Sequence, residues 1–535
     1  MSRSRKLARR EFIKTSAKVF GGLGMTSLVA DLLMGQILNK AIAQSKPENF
    51  YIHLSLPGGP PRWYFDQPLN PSGRAADFIA GGFGNQLEKK PDGVAQSIHA
   101  TYAHKLDNKV IHLPPVWEMN RNGYNNSDLL KHMQMFRGVD MQINNHAISN
   151  SRQVAPVLGG LSIGGILADA SQFPIPGAFA GAPAGNSFKS EKGTAAIPLG
   201  LDGKTNPIEI LLRPFRQPKA SSLKDPNWEK VIGSSLEQFE TYSANIGIRP
   251  IVLTDAYGQS MELIKSDKFS IKERWPATLA KYQAALSEAL NRERINQIFN
   301  FPVKADGTAQ FNIDRGNVRL TDSDLRGIFA DASMTAVACA FAISEILITE
   351  RITSNITFGL NPPTGLKSQG KAIEIPHDQH FVGSALSTIS TTVFYRGIIN
   401  CLHDLVRELQ KADQFNNTVI HIGSEFSRTP KSDASGSDHG FYGSSASIIS
   451  GKISEFGLIG HVYKDGKLNG SGTYPGTWGR AADFPGLDGR PIWAQDIANT
   501  ICAMLGLSKT VSDNGVTLLN GSNSWKPTRN SVDNV

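Results

Sequence analysis

The C-terminal third of the chain alternates apolar helical patterns with short apolar runs, and that alternation restricts the fold more than any other feature. Asp331 to Glu350 reads as a long apolar helix, and Asn355-Ile356-Thr357-Phe358 follows it as a strand. Ile398, Leu402, Leu405 and Leu409 mark one buried helical stripe, and Thr418 to Ile422 is apolar enough to be a strand buried on both faces. Helix alternating with strand argues for an α/β fold, a mostly parallel sheet between helical layers. Near the start, Asn49 to Leu56 reads as the first strand, with Phe50, Ile52, Leu54 and Leu56 on one face. Pro57-Gly58-Gly59-Pro60-Pro61 stops it. In such sheets the loops leaving the carboxyl ends of the strands build the site, and Ser424-Glu425 directly follows Ile422-Gly423.

Charge is concentrated at the N-terminus. Residues 1–43 hold Arg3, Arg5, Lys6, Arg9, Arg10, Lys14, Lys18 and Lys40 against Glu11 and Asp31, which is +6 of the total +8. The remainder is near neutral and gives no electrostatic case for nucleic acid. The order within those residues is a basic start, the run Arg9-Arg10-Glu11-Phe12-Ile13-Lys14, a mildly apolar segment interrupted by glycines, and the small-residue site Ala41-Ile42-Ala43. It resembles a twin-arginine export signal, so residues 1–43 are expected to be a signal peptide read by the twin-arginine machinery. The product would then be periplasmic or secreted. The longest later apolar run, Met334 to Ile343, ends at Ser344-Glu345, so no stable membrane span is expected after cleavage. Cys339, Cys401 and Cys502 each sit in an apolar helical pattern and are expected to be buried thiols.

Residues 44–535 are expected to form one domain. From about 170 to 225, Gly, Pro, Ala and Ser dominate, and 227 to 300 is helical and charged, so about 170–325 is expected to be a helical and loop insertion or cap.

The chemistry-bearing residues gather in one stretch: His377-Asp378-Gln379-His380, then Ser424-Glu425-Phe426-Ser427-Arg428-Thr429-Pro430, then Ser437-Asp438-His439-Gly440. Carboxylate oxygen and neutral imidazole suit zinc, manganese or iron at an open site, and two clusters side by side could hold one or two ions. These blocks, with Leu56-Pro57-Gly58-Gly59-Pro60 leading to Phe65-Asp66 and with Met135-Phe136-Arg137-Gly138-Val139 before Asn145-His146, resemble the exported bacterial family catalogued as domain of unknown function 1501. That family is grouped with the alkaline phosphatase and sulfatase superfamily. The resemblance covers roughly residues 50–70, 130–170 and 325–510, and the middle of the chain lies outside it.

The resemblance implies an alkaline-phosphatase-like sheet, a two-metal-type centre, and hydrolysis of phosphate or sulfate esters of a small molecule or a polymer. It makes Asp438 and His439 an Asp-His ligand pair, Asp378 and His380 a second cluster, and Asp66 the ligand after the first strand. Pro61-Arg62-Trp63-Tyr64 lacks the earlier Asp of the family pattern, and no Cys-x-Pro-x-Arg or Ser-x-Pro-x-Arg occurs, which argues against a conventional sulfatase. Ser149 and Ser151 lie where a hydroxyl nucleophile is expected, with Arg152 beside them to bind the transferred anion; a capping role for such serines stays open.

Other readings stay open too. Glu425 and Arg428 are either an internal ion pair fixing the turn, or a metal ligand or base and an anion-binding group. His377 and His461 are ligands or bystanders, His421 is read as a core histidine, and Trp63, Tyr64, Trp478 and Trp493 line a pocket or simply pack. A non-catalytic exported envelope protein that binds a polymer or partner on the same fold is the alternative to a hydrolase.

Overall fold

Among the described residues nine strands build the central sheet: β1 (Phe50–Leu56), β2 (Met133–Asp140), β3 (Ala178–Ala180), β4 (Ile197–Leu199), β5 (Asn355–Gly359), β6 (Thr418–Ser424), β7 (Ser444–Ile449), β8 (Gly457–Ile459) and β9 (Ile492–Trp493). The computed structural model describes residues 48–67, 102–106, 109–117, 120–171, 173, 175–181, 187–212, 271–290, 327–368, 370–380, 382, 384–430, 437–440, 443–460, 481, 483–521 and 524–527. The leader, His461 and Trp478 lie outside these residues.

The strand order is β8-β2-β7-β6-β1-β5-β3-β4, and β9 also pairs with β2. Only β7 runs against the rest; it is antiparallel to β6 and β2, while β1 pairs in parallel with both β6 and β5. The sheet is thus mixed and mostly parallel, with β1 central, as the alternating pattern requires.

Period-two alternation along β1 feeds two cores. Phe50, Ile52, Leu54 and Leu56 enter one layer with Ile420 and Ile422 of β6, and Tyr51 enters the other with Val419. Against the first face pack α4 (Thr335–Thr349), buried nearly all round, and α5 (Ser384–Lys411), whose Ile398, Leu402, Leu405 and Leu409 form the anticipated stripe. Against the second lie α2 (Ile163–Ala170) and α6 (Ala494–Met504). Each fully buried Ile, Leu or Phe contributes about 1.5–3 kcal/mol, so the two layers hold the sheet from both sides.

The segment expected to be an insertion or cap is, where described, part of this body. β3 and β4 extend the sheet beyond β5. Helix α3 (Ile271–Ala289) sinks Trp275, Tyr282 and Ala285 into the first core. Its Tyr282 hydroxyl and Lys281 Nζ donate to buried Glu345 of α4 at 2.7 and 2.5 Å. Lys281, one of the charges of the segment read as an insertion or cap, therefore serves a buried contact. All three cysteines are buried and free. No helix among the described residues is long and apolar enough to cross a membrane.

Candidate metal centre

Three loops leave the carboxyl ends of parallel strands on one edge of the sheet. β1 and β6 finish level, Leu56 opposite Ser424, and release the Pro57-Gly58-Gly59 turn and Glu425. β2 releases the loop to α1 (His146–Arg152), whose N-cap Asn145 accepts from Ile148 N at 3.0 Å and sets His146 as the first helical residue. Ser427–Pro430 and Ser437–Gly440 then form an antiparallel hairpin in which Arg428 faces His439 and Thr429 faces Asp438. Gln379 O accepts from Ser437 N at 3.0 Å and from Ser437 Oγ at 3.1 Å, which ties the 377–380 loop to that hairpin.

The Gly-Gly turn allows these pieces to meet. Gly58 and Gly59 have φ of +90° and +60°, and a Cβ on Gly58 would lie 2.9 Å from Asp378 N. Arg428 donates to both turn carbonyls, at 2.7 Å to Gly59 O from Nε, while Gly58 N donates to Glu425 Oε1 at 3.0 Å. His377 donates from Nδ1 to Pro57 O at 3.1 Å and is buried, and burial lowers its pKa to about 3. It braces the turn in the neutral form.

At the centre, His380 Nε2 and His439 Nε2 are 2.8 Å apart. Asp378 Oδ1 is 3.2 Å from His380 Nε2 and 3.8 Å from His439 Nε2, and Asp378 Oδ2 is 3.5 Å from His146 Nε2. One ligand atom each from His146, Asp378 and His439 lie within 4.8 Å of one another. Donors bound tetrahedrally at about 2.0–2.1 Å stand roughly 3.3 Å from each other and at most about 4.2 Å apart, so the separations of 2.8–3.8 Å fit the shell of one ion, and the widest, up to 4.8 Å, fits once the loops draw together.

Each imidazole also has an oxygen behind it. His146 Nδ1 donates to Glu425 Oε2 at 2.5 Å, His439 Nδ1 donates to Asn144 Oδ1 at 2.7 Å, and His380 Nδ1 is 3.5 Å from Asp438 Oδ1. A proton held at Nδ1 leaves the Nε2 lone pairs of His146 and His439 facing the centre, as metal-binding histidines are commonly oriented, and His380 donates from Nε2 to the His439 lone pair. The rings of His439 and His146 lie 4.1 and 4.9 Å from the Phe426 ring, which gives the cluster an apolar floor. On the other side the cluster is open, with the His146 side chain 42% and that of Asp378 39% exposed. A catalytic ion needs such an open position.

Electrostatics favour ligand-competent forms. Burial, with the positive charge of Arg428 adding to it, holds His439 down to about 4, so it is neutral at physiological pH. Burial pushes the Asp378 carboxyl up, but its hydrogen bond to Arg428 and the guanidinium charge outweigh this and hold it below the ordinary value. Glu425 is raised, because burial outweighs the bonds from Gly58 N and His146.

Several expectations need correction. Asp66 is absent from the cluster: it is fully buried, accepts from Arg62 Nε at 2.7 Å and from Ser447 Oγ at 2.5 Å, and is paired with the Arg62 guanidinium. Arg428 is fully buried on Asp378 and the glycine carbonyls, which leaves it poorly placed to bind a substrate anion. It is not a simple partner of Glu425 either, since each clamps a different side of the Gly58 turn. Ser149 Oγ donates to Ile143 O at 3.1 Å, and Ser187 Oγ donates to Ser151 Oγ at 3.2 Å, so both candidate nucleophiles serve the base of α1. Arg152 Nη1 donates to Met141 O at 2.5 Å.

Asp438 is brought to the cluster, but behind His380 and 64% exposed. Trp63 and Tyr64 are core residues, and Trp493 carries the Arg490 guanidinium 4.0 Å above its ring. His421 Nδ1 and the Tyr51 hydroxyl share a hydrogen bond at 2.9 Å, and the imidazole stacks on His53, a core histidine as read. Sequence reasoning passed over His146 and Asn144 as site residues. The signal was the Asn145-His146 pair at a helix start, after a strand that ends on the site edge.

No protein-family model matches the chain, and no curated protein matches it.

Proposed function

We propose that the chain is an exported, divalent-metal-dependent hydrolase of phosphate or sulfate esters on an alkaline-phosphatase-like fold. One observation carries the reading. Ligand atoms of His146, Asp378 and His439 gather in one open cluster at the carboxyl ends of parallel strands, with His380 beside them on His439 and oxygens behind His146 and His439. Zinc or manganese suits that donor set. When bound, the ion supplies Lewis-acid polarisation of the ester.

The chain's own groups prepare the site. Glu425 and Asn144 orient the imidazoles of His146 and His439, Arg428 keeps Asp378 ionised, and the Phe426 ring packs against His439. The basic leader with Arg9 and Arg10 supports export through the twin-arginine route to the periplasm or beyond. A non-catalytic envelope binding protein on the same fold is the second reading. What favours it is that Ser149, Ser151 and Arg428 are all engaged in structural bonds.

The test measures bound metal, melting temperature with and without zinc or manganese, and turnover of aryl phosphates and aryl sulfates. At a hundredfold excess over Kd an ion that binds only the native state adds about 2.7 kcal/mol. Metal-dependent stabilisation with turnover of either ester supports the hydrolase. No ion, no stabilisation and no turnover would retire it in favour of the binding protein.

A further inference from the structure

We infer that this centre takes one divalent ion, that the Arg428 guanidinium supplies the second positive charge, and that His146 completes the ion's ligand set. The inference rests on the metal-centre reading above and departs from the two-ion arrangement that the family resemblance implies.

A second ion needs anionic ligands of its own, and of the carboxylates that the resemblance offers Asp66 is committed elsewhere, Asp378 is shared with Arg428 and Asp438 is 64% exposed on the outer side of His380. Asp66 is enclosed with Arg62 and Ser447. Asp438 stands on the solvent side of His380, nearest its Nδ1. Asp378 Oδ1 accepts from Arg428 Nη2 at 2.5 Å, and the guanidinium is fixed there by the carbonyls of Gly58 and Gly59. Two ions sharing Asp378 would set a second divalent charge beside a buried guanidinium that cannot move away.

Charge balance gives the same answer. Even with Asp378, Glu425 and Asp438 all ionised, one divalent ion and the guanidinium neutralise them. A second ion would leave an uncompensated excess above an apolar ring. The remaining oxygen, Asp378 Oδ2, faces His146 Nε2 at 3.5 Å. His146 is turned toward it by the bond from its Nδ1 to buried Glu425. The first ion therefore draws on His146, a residue from the loop after β2.

The whole chain, freed of metal by dialysis, is titrated with zinc and separately with manganese by calorimetry, and bound metal is counted by mass spectrometry after gel filtration. One equivalent per chain is expected. Two equivalents would overturn the inference and leave the hydrolase reading standing, whereas none would overturn both. His146→Ala should raise the zinc Kd by about 100-fold or more, at least the loss seen when outer partners of a ligand are removed. An unchanged Kd would overturn the assignment of His146. Circular dichroism shows whether the variant folds, and if it does not, the wild-type stoichiometry still decides between one ion and two.

Discussion

Asp66→Asn separates the structural reading of Asp66 from the ligand role implied by the family resemblance. Arg62 and Asp66 are both fully buried, joined by Nε to Oδ1 at 2.7 Å and by a second contact, with Ser447 Oγ adding a bond to Oδ2 at 2.5 Å. Asparagine keeps the shape and one acceptor. It removes the negative charge, and its amide turns a donor toward either the guanidinium or the Ser447 hydroxyl. Arg62 would retain Ile422 O, which Nη2 reaches at 3.3 Å, but no negative charge that the structure pairs with it. Removing one partner of a buried pair costs about 3–5 kcal/mol, a large part of a typical total of about 5–15 kcal/mol. At about 2 °C per kcal/mol for a large domain, the melting temperature should fall by roughly 6–10 °C. Calorimetric or fluorescence melting of the metal-free protein measures this directly, and a zinc titration of the same variant at low temperature should give the wild-type Kd. A variant that melts like wild type but binds zinc tenfold more weakly would refute the reasoning and restore Asp66 as a ligand.

Replacing Arg9 and Arg10 together by Lys keeps the charge and removes the guanidinium fork, so precursor should accumulate in the cytoplasm; normal mature protein in the periplasm, seen by fractionation, would exclude the twin-arginine route. Glu425→Gln removes the carboxylate behind His146 and should weaken zinc by about 10–100-fold in calorimetry, with the fold intact by circular dichroism. Acid should destabilise the protein well before its carboxylates protonate. Burial lowers both His53 and His403 to about 4, so below the ordinary value of about 6.5 the unfolded chain takes up protons that the native state refuses. That stability is fully present above pH 7 and is lost as pH falls toward 4, at about 2 kcal/mol per histidine by pH 5. Urea unfolding at pH 7 and pH 5 checks it, and equal midpoints would contradict the assignment of neutral buried imidazoles.

Local periodicity carried the fold as far as local periodicity can. The face of β1 that holds Phe50, Ile52, Leu54 and Leu56, the stripe on α5 and the buried β6 all repeat at the intervals of their elements, so they were visible without knowing what lay opposite. The layer made by α3 was not visible, because Lys281 and Tyr282 look like surface residues until Glu345 is set against them. That partner is 63 or 64 positions away, and nothing in either segment names the other.

The same division runs through the candidate site. Asp378, His380, Asp438 and His439 could be found because metal-binding residue types stood close together in sequence, yet which atom of each faces the centre depends on pairings that spacing does not encode. Arg428 and His439 face each other because a hairpin forms between them, and that pairing turns Arg428 inward onto Asp378. His146 arrives from a strand on the far side of β7, and it reaches the site because the carboxyl end of that strand lies on the same edge of the sheet as those of β1 and β6. Asp66 failed as a ligand for a reason that was legible: Arg62 precedes it by four residues, within reach of a local ion pair, and a carboxylate neutralised by a neighbour has little left to offer an ion. Asp378 also carries an arginine and remains a candidate. Only its Oδ1 is taken, its side chain is 39% exposed, and its Oδ2 faces an imidazole whose other nitrogen is held by Glu425. What distinguishes a structural from a metal-binding carboxylate in this chain is therefore the second oxygen, and that is a property of the assembled loops.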